Sequence, residues 1–330
     1  MSSQRLFELD ALRGIAAFSV VLFHYLFRYD GIYGHDTLNV TWFEFGKYGV
    51  QLFFMVSGFV IFWTLSRTKR PLDFLVSRFS RLYPVYWVAL AITFVSVTVL
   101  GLEGRESSLF DAFSNMLMFH EYFLIPHVDG VYWTLTVELT FYLWMFILYC
   151  SSNLERVEGF SIVILVFSML YCVDLIHIPY VIRKILLMNY LPFFLAGICF
   201  YKIINTCENK LTRVALFISL FSVIFIYSVN EFFIFLSFYI IFFLALNGSL
   251  SILACKPLIF LGSISYSLYL LHQNIGYIVI NLFYDIDLSP ILGVVTAIIV
   301  SVFLASLITR YVEKPSLDFI RNKYKEIIKN

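Results

Sequence analysis

The sequence predicts an all-α polytopic membrane protein, and three observations carry that prediction. Of its 330 residues, 61% are hydrophobic and 14% charged, whereas soluble domains hold about 45–50% apolar and about 25% charged residues. Its mean hydropathy is +0.86. The apolar residues also come in long runs parted by short polar breaks, the pattern of repeated membrane crossing. A net charge of +1 gives no reason to expect nucleic acid as a partner.

Ten spans are expected, at 12–29, 46–65, 84–101, 131–150, 159–175, 188–204, 214–229, 232–249, 258–282 and 289–309. A span needs about 20 mainly apolar residues, so the shorter segments are marginal. The long connection at 102–130 holds its own apolar piece, Phe110 to Phe123, expected to form a re-entrant or interfacial helix. The basic tail after Arg310 is expected to form an interfacial helix. No repeat, low-complexity stretch or linker divides the chain, so one domain over residues 1–330 is the simplest organisation. The segment after Ala17 shows no small-residue cleavage pattern, so the first helix is expected to stay as an uncleaved anchor.

Lys and Arg set the orientation. With a cytoplasmic N-terminus, the inside segments hold 18 of the 23 basic residues, from Arg5 and Arg13 through Arg78 and Arg81 to Lys329. The outside loops hold Arg28, Lys47, Arg105, Arg183 and Lys184. This asymmetry predicts both termini in the cytoplasm. The outer loops are instead acidic, with Asp30, Asp36, Glu44, Glu103, Glu106, Asp111, Glu121 and Asp129.

Against that apolar background a few polar residues need a reason. The first span opens on Arg13 and carries His24 deep inside. Eleven residues at about 100° each come to about three turns plus 20°, so both side chains share a stripe, with Cα atoms about 16 Å apart. Ionisable residues inside a membrane are costly and face a cavity or a partner. His24 is therefore either a hydrogen-bonded packing residue or a proton acceptor, since histidine gains and loses a proton near neutral pH. Asp10, three residues before Arg13, is placed to hold its guanidinium.

Arg78 and Arg81 are three apart and point to similar sides of a helix. Pro84 is expected to end that segment or to start the next span. Two planar guanidiniums at the cytoplasmic face suit bidentate binding of phosphate; an ordinary basic inner loop against lipid headgroups is the alternative. Glu138 is the carboxylate well inside a predicted span, about a third of the way from its outer end. A carboxylate there is protonated or paired, and similar depth makes His24 its expected partner. His272 lies inside the ninth span, as a polar lining group or a packing residue. His35, His120 and His127 fall in outer loops without helical ligand spacing. The five cysteines, Cys150, Cys172, Cys199, Cys207 and Cys255, also lack metal-ligand spacing, so no metal site is expected.

Taken together, these stretches resemble the acyltransferase 3 family of integral membrane acyltransferases, whose members O-acetylate bacterial surface polysaccharides. Arg13 and His24, within Leu9-Asp-Ala-Leu-Arg-Gly, match the family's arginine, ten residues, histidine motif. Gly49 to Phe59, with its Ser57-Gly-Phe, resembles the second helix. Arg78-Phe-Ser-Arg81 matches the Arg-x-x-Arg motif. Trp133-Thr-Leu-Thr-Val-Glu138 with Phe141-Tyr142 resembles the Trp-Ser-Leu-x-Val-Glu stretch, with Thr134 where serine is usual. Gly262 to His272 and Val312-Glu-Lys-Pro315 resemble the late helix and closing motif. The chain ends near 330, so no appended SGNH-type esterase domain is expected.

The resemblance implies a membrane O-acyltransferase, in the first place an O-acetyltransferase of a cell-envelope glycan, set in the cytoplasmic membrane. Its donor would be acetyl-CoA or another acyl-CoA, with phosphates on Arg78 and Arg81. Its acceptor would be a glycan or lipid-linked oligosaccharide. His24 would act as general base, Arg13 would place the donor or stabilise charge, and Glu138 would orient His24. Asp10, Ser57, Trp133, Tyr142, Tyr266 and His272 are further candidates for the lining of a tunnel between donor and acceptor. Composition and intramembrane charge alone equally fit a transporter or flippase for a small anion or lipid-linked sugar. No paired interrupted helices repeat between the two halves, which counts against that alternative.

Overall fold

A computed structural model of the chain describes residues 7–35, 38 and 40–329, and every regular element among them is helical. Arg5 and Asp36, counted above in the charge balance, lie outside the described residues. The helices are α1 Phe7–Leu22, continued by a π-helical turn Phe23–Arg28 and α2 Tyr29–Tyr33; α3 Gly49–Arg67; α4 Pro71–Leu100; α5 Leu109–Asn115; and α6 Trp133–Cys150. There follow α7 Val157–Cys172, α8 Tyr180–Ile185, α9 Leu191–Ile204, α10 Lys210–Ile226, α11 Val229–Leu246, α12 Lys256–Asp285 and α13 Pro290–Ile308. A second π-helical turn, Thr309–Glu313, leads into α14 Lys314–Lys329.

Each of the ten expected spans overlaps a helix. Six helical stretches among the described residues are long and apolar enough to cross a membrane: Phe7–Tyr33, Trp42–Arg67, Pro71–Leu100, Gly130–Cys150, Val229–Leu246 and Pro290–Ile328. Helices α7, α9 and α10 have only 16, 14 and 17 residues. At 30 residues α12 is long enough, but Ser263, Ser265, Ser267, His272, Gln273 and Asn274 dilute its apolar content. Between α4 and α6, the apolar piece of the long connection forms α5 and a 3₁₀ turn His120–Phe123. Phe110, Phe113, Leu117 and Phe123 stay exposed there.

The chain packs as two units built from interleaved segments. One comprises the residues up to Arg13, Gln51–Phe74 and Val137–Ile259; the other comprises Gly14–Val50, Leu75–Thr136 and the chain from Phe260.

Small residues and one buried ion network hold the first unit. A Cβ on Gly58 would lie 2.1 Å from the Phe194 carbonyl oxygen, and one on Gly197 would lie 2.0 Å from that of Met55. These two glycines let α3 and α9 touch backbone to backbone, the close approach that small residues permit between membrane helices. Phe59 then packs on Tyr201 and Phe242. Glu158 on α7 accepts from Lys202 Nζ of α9 at 2.7 Å and from Thr212 Oγ1 of α10 at 2.6 Å. Both charged residues are buried, so the pair and the hydroxyl satisfy each other in place of water. Phe217 on α10 and Phe233 and Ile240 on α11 face outward, as lipid-facing side chains do.

In the second unit, α1 and its π-helical turn pack on α12 and α13. Gly49 brings the start of α3 against α1: a Cβ there would meet the Ala16 carbonyl at 2.5 Å. Asn115, at the end of α5, is fully buried. Its amide donates to the carbonyls of Asp111 and Pro126, its oxygen accepts from Val128 N, and its carbonyl takes the Tyr86 hydroxyl of α4. These four bonds order the connection leading to Trp133. At the far end, Glu313 of the Val312-Glu-Lys-Pro stretch accepts from Ser267 of α12 at 3.2 Å and from Thr309 at 3.3 Å.

Candidate active site

The second unit brings two imidazoles together. His24 Nδ1 lies 3.0 Å from His272 Nε2 and 2.9 Å from the Val20 carbonyl oxygen. His272 Nδ1 lies 2.9 and 3.2 Å from the carbonyls of Tyr269 and Leu268. A carbonyl only accepts, so Nδ1 of His272 carries the proton and its Nε2 presents a lone pair. His24 must then donate from Nδ1, shared between Val20 and His272. That assignment leaves a lone pair on His24 Nε2, which has no hydrogen-bond partner among the described residues. His272 is fully buried, whereas His24 keeps part of its surface open. A neutral imidazole with a fixed tautomer and an open Nε2 is what a general base needs.

The local backbone explains why the two rings meet. α1 gives way to a π-helical turn at Phe23, in which the Tyr29 N–H reaches the His24 carbonyl five residues back. The expected Arg13-to-His24 stripe takes α-helical geometry throughout, whereas the wider turn begins at Phe23 and includes His24. Such turns sit frequently at functional sites. Tyr25, fully buried, donates its hydroxyl to the His272 carbonyl at 2.7 Å, so Ser301 Oγ at 2.6 Å is the donor to it. Gly276 makes room for this ring, since a Cβ there would lie 2.2 Å from it. Tyr29 extends the same seam by bonding Asn281 at 2.6 Å.

Helix α4 carries the arginine pair. Pro84 neither ends the segment nor starts the span: α4 runs unbroken from Pro71 to Leu100 with Pro84 inside it. The lost N–H is one bond among many in a 30-residue helix, too little to break it. Arg78 and Arg81 therefore lie on a helix rather than in a loop, about two turns and one turn before the start of the expected span. Arg78 and Arg321 of α14 both donate to Ser77 Oγ at 3.1 Å, and Arg321 is within electrostatic reach of Arg81. Three guanidiniums thus converge. Tyr266 of α12 donates to the Leu82 carbonyl at 2.9 Å, anchoring α12 on this part of α4. Trp133 opens α6, and Thr134, where serine is usual in the resembled motif, uses its hydroxyl on the Val131 carbonyl and Tyr269 hydroxyl, both at 3.0 Å.

In the first unit, Ser57 Oγ donates to Glu138 Oε1 at 3.2 Å, and the Tyr142 hydroxyl donates to the same oxygen. Ser57, Gly58 and Phe59 thus have separate tasks: one holds a carboxylate, the next admits α9, and the third fills the aromatic core. Asp10 and Arg13 form the expected pair, at 3.7 Å.

Several members of these networks escaped the sequence reading. Arg321 was taken only as part of a basic tail. Tyr25 gave no signal beyond following a histidine. Glu158 and Lys202 sit near predicted span ends, where charges are ordinary. In the 102–130 connection, His120 Nε2 and His127 Nδ1 are 2.7 Å apart, and Glu121 lies 3.8 Å from His127. Burial and the neighbouring His127 hold the His120 imidazole down at about 4. Asp129, fully buried before Trp133, accepts from the backbone N–H groups of Val131 and Asn274. Burial pushes its carboxyl up to about 6. Among the described residues, no group of three or more His, Cys, Asp or Glu is placed to hold a metal ion.

Comparison with known proteins adds a lineage to this geometry. The chain is 33% identical over 155 residues to nodulation protein 10 of Rhizobium leguminosarum bv. viciae, covering 41% of each chain. It is 34% identical over 109 residues to the exopolysaccharide production protein ExoZ of Rhizobium meliloti, covering 30% of this chain and 33% of that one. It is 25% identical over 364 aligned positions to the O-acetyltransferase OatA of Staphylococcus aureus, covering 93% of this chain and 56% of OatA. The chain thus spans between a third and just over half of the length of these relatives. No solved structure matches it. The acyltransferase 3 profile, described as an acyltransferase domain, matches residues 6–310, and the chain therefore belongs to that family.

Proposed function

We propose that the protein is a membrane O-acyltransferase, in the first place an O-acetyltransferase, that moves an acyl group from cytoplasmic acyl-CoA to a hydroxyl of a cell-envelope glycan. In this reading it crosses the cytoplasmic membrane ten times and keeps both termini inside. The observation that carries the chemistry is the His24–His272 pair. His24 Nε2, the open lone pair, takes the proton of the acceptor hydroxyl as that oxygen attacks the thioester carbonyl. The carbon–sulfur bond breaks, and the departing thiolate of CoA takes the proton back from the imidazolium. His272 holds the tautomer through Nδ1–H of His24, the orienting role seen in hydrolase triads.

The donor phosphates are assigned to Arg78, Arg81 and Arg321. Clustered guanidiniums repel one another unless an anion lies between them, and phosphate suits their forked donors. The family resemblance implies charge stabilisation for Arg13 and the orienting of His24 for Glu138; in this reading the orienting part goes to His272, which accepts the His24 Nδ1–H. The similarity to ExoZ and OatA, an exopolysaccharide production protein and an O-acetyltransferase, supports a glycan as acceptor.

The test uses the full chain in nanodiscs, ¹⁴C-acetyl-CoA, and envelope glycan de-O-acetylated by mild alkali. Wild type should label the glycan, and His24→Ala should do so about 10²–10⁴-fold more slowly. Undiminished labelling by His24→Ala would sink the mechanism. Uptake of an anion or lipid-linked sugar into vesicles without any acetylated product would identify a transporter instead.

A further inference from the structure

Beyond His272, α12 carries polar side chains for which the chemistry above has no use. Gln273, Asn274 and Tyr277 are all buried, with exposures of 3%, 0% and 0%. Asn274 has a structural task, since its Nδ2 donates to the Val128 carbonyl at 3.0 Å and its backbone N–H to Asp129. Gln273 and Tyr277 have none: among the described residues neither Gln273 Oε1 nor the Tyr277 hydroxyl has a hydrogen-bond partner, and Asn274 Oδ1 is left without one beside them. Buried polar groups in folded proteins are nearly always paired, so three orphaned atoms within five residues of one helix need a reason.

Their spacing supplies one. Four residues apart, Gln273 and Tyr277 are neighbours on a single helix face. Gln273 follows His272 directly, and Tyr277 lies about 6 Å beyond Gln273 along the axis, a distance comparable to the width of a pyranose ring. Gly130 leaves room for the amide, because a Cβ there would lie 2.8 Å from Gln273 Nε2. The Tyr277 ring packs against Tyr29 and Tyr33, with centroids 5.6 and 5.8 Å away, and the Arg105 guanidinium stands 5.9 Å from it. Arg105 is only half-buried and lies within electrostatic reach of His24. Along α12 beyond the partner of the base there is thus an amide oxygen that accepts, a phenol that donates and accepts, an aromatic wall and, at Arg105, a partly open edge.

We infer that Gln273 and Tyr277 form the subsite that holds the acceptor, and that the group they hold is the hydroxylated ring of a neutral sugar presenting one hydroxyl to His24. Gln273 Oε1 accepts from a second hydroxyl of that ring, and the Tyr277 hydroxyl donates to a further oxygen. This inference rests on the O-acetyltransferase reading and adds the residues that bind its acceptor.

The experiment measures labelling from ¹⁴C-acetyl-CoA by the full chain in nanodiscs while the de-O-acetylated envelope glycan is titrated. Gln273→Ala and Tyr277→Phe should each raise the KM for glycan about tenfold, with the KM for acetyl-CoA within about twofold of wild type. Tyr277→Phe should also leave the melting temperature unchanged or higher, because the hydroxyl it removes has no partner among the described residues. A lower melting temperature with an unmoved glycan KM would assign the hydroxyl to the fold and overturn the proposal. So would an unchanged glycan KM in both variants, or equal shifts of both KM values. Absence of labelling by wild type would instead bring down the O-acetyltransferase reading itself, in an arm that involves neither variant.

Discussion

His272 Nε2 receives the Nδ1 proton of His24 at 3.0 Å while its own Nδ1 is tied to two backbone carbonyls. Those carbonyls cannot take up and pass on a proton, so His272 orients His24 rather than relaying charge away from it. His272→Ala should therefore lower kcat about 10²-fold, the scale of a misplaced catalytic group, and leave the KM for acetyl-CoA unchanged. His272→Gln, whose side-chain oxygen can accept the same bond, should recover part of the loss. Steady-state kinetics in nanodiscs check both.

Under the proposed function, the convergence of Arg321 on Arg78 and Arg81 would give the tail a part in donor binding. Arg321→Ala should weaken acetyl-CoA binding about tenfold and soften its salt dependence, since a screened charge has been removed. Arg321→Lys should fall between, because an ammonium keeps the charge but lacks the fork. Isothermal titration with acetyl-CoA at two salt concentrations distinguishes the variants.

Gly58 and Gly197 should tolerate no side chain. Alanine at either position places a Cβ about 2 Å from a backbone carbonyl oxygen of the opposing helix, and backbone cannot rotate away as a side chain can. Overpacking of this kind costs about 1–3 kcal/mol or more. A melting temperature several degrees lower is expected in detergent for each variant, together with reduced yield.

For the buried Lys202–Glu158 pair, loss of one partner should be worse than loss of both. Lys202→Met alone strands a buried carboxylate and should cost about 3–5 kcal/mol, while Lys202→Met with Glu158→Gln should recover much of it. Thermal unfolding of the two single variants and the double variant measures the coupling.

His120 and Asp129 set opposite slopes on stability against pH. The folded His120 gives up its proton at about 4, below the ordinary 6.5, so its contribution is full above pH 6.5 and is lost as pH falls through 4. Folded Asp129 keeps its proton up to about 6, above the ordinary 3.8, so its contribution is full below pH 3.8 and is lost as pH rises through 6. Asp129→Asn should leave stability rising from pH 4 to 6.5, and His120→Gln should leave it falling from pH 4 to 6. Melting temperatures across that window decide; parallel slopes in the two variants would contradict both assignments.

Much of this was legible in the residues because membranes make polarity conspicuous. An arginine, a histidine and a carboxylate inside apolar runs announce themselves, and Ser57-Gly-Phe marks a helix that must be approached closely. Pro84 misled because a proline reads as a boundary, whereas a long buried helix absorbs the loss of one bond. Similar depth points to Glu138 as the partner of His24, and His272 could not be read in that place, since 248 residues separate the two and local periodicity does not span that distance. Gln273 and Tyr277 were hidden for the opposite reason: in sequence they are ordinary helix residues, and only the absence of partners around them sets them apart.

The π-helical turn at Phe23–Arg28 has a further consequence, for how the gene can change. A π turn is an α-helix with one residue too many. Because the surplus residue is taken up within the turn, deleting one residue between Leu26 and Arg28 would restore α-helical pitch and leave Tyr29 facing Asn281. The same deletion within Phe7–Leu22 has no surplus to remove and would swing every later side chain by about 100°. In a deletion scan of 7–33, single-residue deletions at 26–28 should therefore be tolerated better than those at 7–22.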